Sequence, residues 1–211
     1  MKTEDLIDLL ARDVPPAERP QWRRRLALTL LVGFAIALIL TALSIGLRPD
    51  IGVALGPVLL KAGFSALGAA VALPLAARLM RPGRALGWRV AAVLIFFGVC
   101  ALAAAIALIG MAPEKRLAMW LGGGFPWCLV LIPIFATPTA IGLVWLVRGL
   151  APTRLTLSGA AIGAVSGSIG ALAYSMHCPI DSVPFVATWY AAAIALCAAI
   201  GAVLGSRLLR W

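Results

Sequence analysis

Six apolar runs, each long enough to cross a bilayer, dominate this chain and fix its fold class. A helix rising 1.5 Å per residue needs about 20 apolar residues to span about 30 Å of hydrocarbon. Windows of that length fall at residues 26–47, 53–77, 90–111, 125–147, 155–176 and 184–206. The composition agrees: 63% hydrophobic residues and a mean hydropathy of +1.03 are too apolar for the surface of a soluble domain. The connections are short and rich in Pro, Gly and Arg, so only the residues before Leu26 leave room for anything outside the membrane. The expected fold is all-α, a polytopic bundle of six transmembrane helices over residues 26–211, preceded by a short cytoplasmic segment over residues 1–25. The first run is too long for a signal-peptide core, lacks a small-x-small cleavage site and follows a polar segment, so it is expected to be retained as the first span.

The net charge of +10 raises nucleic acid as a partner, but the basic residues lie beside span ends rather than on one folded face. One side carries Lys2, Arg12, Arg19, Arg23, Arg24, Arg25, Arg78, Arg81, Arg84, Arg89, Arg148, Arg154, Arg207 and Arg210; the other carries Arg48, Lys115 and Arg116. The positive-inside rule therefore puts both termini in the cytoplasm and leaves no direct nucleic-acid role. Trp22, Trp88, Trp145 and Trp211 fall near the inner ends and Trp120, Trp127 and Trp189 near the outer ends, where interfacial rings belong.

That orientation gives the four cysteines different meanings. Cys197 continues the series Ala193, Cys197, Gly201, Gly205, which is expected to pack on a second series, Gly159, Gly163, Gly167, in the preceding span. Small residues every fourth position let helix backbones approach closely in lipid, so Cys197 reads as a packing residue. Cys100, mid-span among alanines, reads the same way. Cys128 in "GGGFPWCLV" and Cys178 in "YSMHCPIDSVPF" instead fall at one membrane depth on the oxidising side. They are either two unrelated interfacial cysteines or a redox- or metal-sensing pair, with His177 as an added metal ligand or thiol activator. Pro133 and Pro138, in the span that starts at Cys128, either kink that helix or only shape its packing. Lys61, the one intramembrane charge, either snorkels outward or faces the bundle interior, where it would modulate the thiols by favouring a thiolate at Cys128.

The amino-terminal segment "MKTEDLIDLLARDVPP" has another character. Thr3 can cap a helix, Glu4 and Asp5 suit its positive end, and Pro15 and Pro16 stop it. Leu6, Ile7, Leu10 and Val14 share one face with Leu9 beside them. Five of the eight acidic residues, Glu4, Asp5, Asp8, Asp13 and Glu18, precede Pro20, whereas helices that lie on an anionic leaflet are normally basic. The pattern suits docking to a basic, groove-bearing cytoplasmic protein, with folding on the partner.

Together the six spans, the opening Met1-Lys2-Thr3-Glu4-Asp5-Leu6-Ile7 and two cysteines about fifty residues apart, Cys128 and Cys178, resemble the NrsF-like anti-sigma factors, six-span proteins of the bacterial inner membrane. The resemblance implies sequestration of an extracytoplasmic-function sigma factor by the amino-terminal segment, and its release when the outer cysteines sense oxidants or heavy metals. It implies no enzyme activity and no cofactor. Two rivals share the location. A membrane thiol oxidoreductase is expected to carry a Cys-x-x-Cys pair, which is absent from the sequence. A transporter of ions or polar solutes usually keeps several ionisable residues within the bundle, and here only Lys61 qualifies.

Overall fold

The computed structural model describes residues 21–80 and 85–210, and every regular element among them is helical. The helices are α1 (Trp22–Ser44), α2 (Leu55–Leu79), α3 (Trp88–Ile109), α4 (Pro113–Leu121), α5 (Trp127–Arg148), α6 (Leu155–Tyr174) and α7 (Val183–Leu208). All but α4 are long and apolar enough to cross a membrane, so the chain is a multi-pass membrane protein of six spans. The observed ends differ from the expected windows by a few residues, most at α1, which starts four residues before Leu26. Trp22 and Arg23 to Arg25 lengthen it at little cost, because a helix is free to continue into the interface beyond its apolar stretch.

The charged connection between the third and fourth spans contains an element that hydropathy alone did not supply. In α4, Pro113 occupies the first turn, where a missing N–H costs nothing, and Gly122 ends the helix in the left-handed conformation with φ +57°. The Gly122 N–H closes the last turn on the Ala118 carbonyl at 2.8 Å. None of the residues of α4 is buried, as befits a short helix lying over one end of the bundle.

Large apolar side chains are exposed all round the bundle, among them Leu31, Leu60, Ile95, Ile141 and Val203. On a soluble protein such a belt would drive association; on six spans it is the surface that meets lipid. The helices differ in depth. In α6, 67% of the spanning window is buried, against 17% in α3, and α6 packs against α1, α2, α5 and α7. It can occupy the centre because Gly, Ala and Ser supply most of its contact faces.

The α6–α7 seam is where backbones come closest. A Cβ at Gly159 would strike the Gly201 carbonyl, and one at Gly163 would strike the Cys197 carbonyl. A Cβ at Gly205 would lie 2.6 Å from the Leu155 oxygen, and one at Gly167 would lie 2.7 Å from the Cys197 Cβ. Cys197 is therefore part of this seam, and Cys100 packs with Phe96 and Ala191 where α3 meets α7. Both residues occupy the packing positions expected of them.

Two large apolar clusters stack along the bundle. One, at the end carrying the chain termini of α1 and α7, includes Leu26, Leu79, Leu143, Val147 and Leu209. The other, at the opposite end, includes Ile132, Phe135, Tyr174, Phe185 and Tyr190 together with Cys128 and Cys178.

Candidate functional site: a buried thiol pair under a clamped loop

Cys128 stands in the first turn of α5, and Cys178 lies four residues beyond the end of α6. The chain turns tightly there: Ser175 N–H donates to Ala171 O at 2.9 Å, and the N–H groups of His177 and Cys178 both donate to Tyr174 O, at 3.0 and 3.1 Å. The turn folds Cys178 back under the loop. Both thiols are 0% exposed, both are free, and both belong to the same apolar cluster, so residues fifty apart in sequence meet in one buried site.

Two phenols complete its wall. Tyr174 and Tyr190 meet at a tilt of 49° with ring centroids 5.9 Å apart, and Phe185 meets Tyr190 edge-on at 6.5 Å. Tyr190 ends a single π-helical turn, Val186–Tyr190, within α7, and such turns recur where a helix is bent to serve a site. The Tyr190 hydroxyl lies beside the Cys178 sulfur without the geometry of a hydrogen bond, and it has no other partner among the described residues. It is a buried polar atom aimed at the thiols.

The loop over this chamber is clamped by charge. Lys61, projecting from α2, is 1% exposed and its ammonium faces inward. It donates to the carbonyl oxygen of Cys178 at 2.6 Å, to that of Ile180 at 3.2 Å and to Asp181 Oδ1 at 2.8 Å. Of the two orientations open from sequence, burial excludes snorkelling to water. The acceptors are all oxygens of the loop, so Lys61 acts on the thiol site through the backbone that carries Cys178. Arg48, 7% exposed in its side chain, grips the same carboxylate with two parallel bonds, Nη1 to Oδ1 at 2.8 Å and Nη2 to Oδ2 at 2.9 Å. The same guanidinium holds Asp50 through Nε at 2.6 Å and Nη2 at 3.0 Å. Hydrogen bonds from Arg48, reinforced for Asp181 by Lys61, hold both carboxyls below the usual carboxylate range.

Two neutral contacts zip the same segments together. Arg48 N–H donates to Met176 O at 3.0 Å, and His177 Nδ1–H donates to Gly46 O at 2.9 Å. That bond engages Nδ1 and leaves Nε2 as the ring nitrogen available to a ligand. Among the described residues, no group of three or more His, Cys, Asp or Glu side chains is preassembled to hold a metal ion. From the far side, α4 leans on the loop: Ser182 Oγ donates to Met119 O at 2.7 Å, and Trp189 Nε1 donates to Trp120 O at 2.8 Å. Gly122 and Gly124 allow this approach, since a Cβ on Gly122 would lie 2.7 Å from Ile180 and one on Gly124 would strike the same side chain.

Arg48, Asp50, Asp181, Tyr174 and Tyr190 were not anticipated from sequence, although a signal existed. A buried lysine in a span requires a carboxylate, and after Pro20 the chain has only Asp50, Glu114 and Asp181 to offer. The docking residues Glu4, Asp5, Leu6, Ile7, Leu9 and Leu10 lie outside the described residues.

The fold and the site define a multi-pass membrane protein of six spans that buries two thiols under a clamped loop at one end. Residues 10–211 match the family described as Negative regulator of sigma F. The whole chain is similar to the probable anti-sigma-F factor NrsF of Azospira oryzae, 37% identical over 213 residues, and to the anti-sigma-F factor NrsF of Caulobacter vibrioides, 39% identical over 215 residues, in each case across the full length of both proteins. No solved structure matches the chain. The protein belongs to the NrsF family of anti-sigma factors, and its partner is accordingly a sigma factor.

Proposed function

We propose that this protein, in the bacterial inner membrane with both termini in the cytoplasm, holds an extracytoplasmic-function sigma factor on its amino-terminal segment. In this reading Cys128 and Cys178 are its sensor for oxidants or thiophilic metals arriving from outside. The observation that carries the reading is the burial of these two thiols, and of no other cysteine, in one chamber at the end which the charge pattern assigns to the outside.

The chemistry is simple. An oxidant takes two electrons from the pair and the two thiol protons leave as the Cys128–Cys178 bond forms. A soft divalent metal instead displaces the two protons and is held by both sulfurs, with His177 Nε2 as a third donor. Moving a bound state from about 1:99 to 99:1 takes roughly 5.5 kcal/mol of differential stabilisation. A dithiol supplies that amount if its reduction potential differs by about 120 mV between two bundle conformations, since 30 mV corresponds to about 1.4 kcal/mol.

The route to the partner runs along α5. This helix carries Cys128 at one end and Pro133 and Pro138 in its interior. At its other end the Arg148 guanidinium donates to the Leu208 carbonyl of α7. It packs on α1 so closely that a Cβ on Gly142 would lie 2.7 Å from Thr29 and one on Gly33 would strike Thr139. Since α1 follows directly on the amino-terminal segment, a shift of α5 is felt where the sigma factor docks. The transporter reading loses its main support here, because Lys61, the one intramembrane charge it had, is committed to a carboxylate and two carbonyls.

An affinity pull-down from detergent extract tests the assignment, comparing the whole chain with a form lacking residues 1–20. A sigma factor retained only by the whole chain supports it. Equal retention by both forms moves the docking site elsewhere.

A further inference from the structure

We propose that Lys61 and Asp181 form an electrostatic latch, a positioning pair that keeps the loop carrying Cys178 shut over the thiol chamber. The latch itself stands on geometry alone; only its consequence for signalling rests on the sensor reading above.

An ammonium has three N–H donors and no acceptor, and in Lys61 all three are taken up, within Cys178–Asp181. A charge this deeply buried is tolerated only while it is paired and hydrogen-bonded. The loop therefore cannot lift without stranding Lys61, and Lys61 cannot swing away without stranding the carbonyls of Cys178 and Ile180. Arg48 closes the arrangement by sharing Asp181 Oδ1 with Lys61 while tied to Asp50 of its own loop, so that two cations meet two anions. The α1–α2 connection, α2 and the thiol loop are thus joined at one carboxylate. The latch meets a sulfur only through a shared acceptor, since the Ile180 carbonyl that accepts from Lys61 also accepts from the Cys178 thiol at 4.0 Å; its product is the position of the Cys178 backbone, and through that the 0% exposure of both thiols.

A latch and a general structural ion pair differ in what their loss exposes. If the pair only holds the bundle together, removing it loosens all helices and opens Cys100 and Cys197 along with the others. If it is a latch, only the chamber opens. The test is maleimide labelling of the full chain in lipid nanodiscs, resolved cysteine by cysteine through peptide mass spectrometry. Lys61→Met and Asp181→Asn are compared with the parent, with Asp181→Glu as a conservative variant and Glu114→Gln as an acidic change outside the network. We expect about a tenfold rise in the labelling rate of Cys178 in Lys61→Met and in Asp181→Asn, as the population of an otherwise minor open state grows. Cys100 and Cys197 should be unchanged, Asp181→Glu should restore much of the protection, and Glu114→Gln should have no effect. Labelling of Cys178 within twofold of the parent in both neutralised variants overturns the latch, and so does a parallel rise at all four cysteines. If Cys178 opens selectively yet sigma-factor retention and its response to oxidant stay normal, the latch stands and the sensor reading fails.

Discussion

The ammonium of Lys61, in the second turn of α2, donates to the backbone carbonyl of Cys178 at 2.6 Å although 117 residues separate them. This bond joins the one buried cation of the spans to the one cysteine held in a loop. It makes this end of the bundle the place where charge, burial and thiol chemistry meet.

The pH dependence of that clamp follows from its carboxylates. Asp181 and Asp50 are held below the usual carboxylate range, mainly by Arg48. A depressed folded pKa means that the stabilisation is fully present above the unfolded value of about 3.9 and is lost as pH falls through the folded value. Between pH 8 and 5 the network should therefore be intact. The measurement uses His177→Gln, so that the imidazole bonded to Gly46 O takes no part in it. The variant's thermal midpoint in detergent should be flat from pH 8 to 5 and fall only in stronger acid. A fall beginning near pH 6 in this variant would mean that the carboxylates are not clamped as described.

The glycine seam gives a stability prediction with an internal control. Gly201→Ala puts a methyl group against the Gly159 carbonyl, where only backbone can give way. Overpacking of this kind costs about 1–3 kcal/mol, and rigid backbone on both sides places the change at the upper end. Gly63→Ala, in α2, meets nothing within 4 Å and should be neutral or slightly stabilising. Thermal unfolding in detergent should separate the two by several degrees, with Gly201→Ala the lower.

How much of this was open to a reader of the sequence differs by level. The six spans were legible because each is about 20 residues of mainly apolar character, and the α6–α7 seam because Gly159, Gly163, Gly201 and Gly205 recur at a helical period. The meeting of Cys128 and Cys178 was available as one of two readings. The clamp was not read. Arg48 and Asp181 sit in connections 133 residues apart, and their pairing depends on which loops the bundle brings together. Tyr190 was missed for a related reason: its direction is set by a π-helical turn that no periodicity announces. The interface helix α4 escaped because a nine-residue element is too short for a hydropathy window, although Pro113 and Gly122 mark its ends.

The amino-terminal segment carries its own prediction. Leu6→Asp or Leu10→Asp places a charge on the face expected to enter the sigma factor's groove, at a cost of about 2 kcal/mol or more in binding. Membrane insertion should be unaffected, since neither residue belongs to a span. Quantitative co-purification should show at least a tenfold loss of bound sigma factor, about 1.4 kcal/mol per decade. Full retention by either variant would show that the amino-terminal segment is not the binding element.

The sensor assignment is tested most directly by following sigma-factor release from membranes exposed to peroxide or cadmium, in the parent and in four serine variants. We expect release from the parent, none from Cys128→Ser or Cys178→Ser, no further defect when the two are combined, and normal release from Cys100→Ser and Cys197→Ser. Normal release from the Cys128→Ser, Cys178→Ser double variant would contradict the assignment.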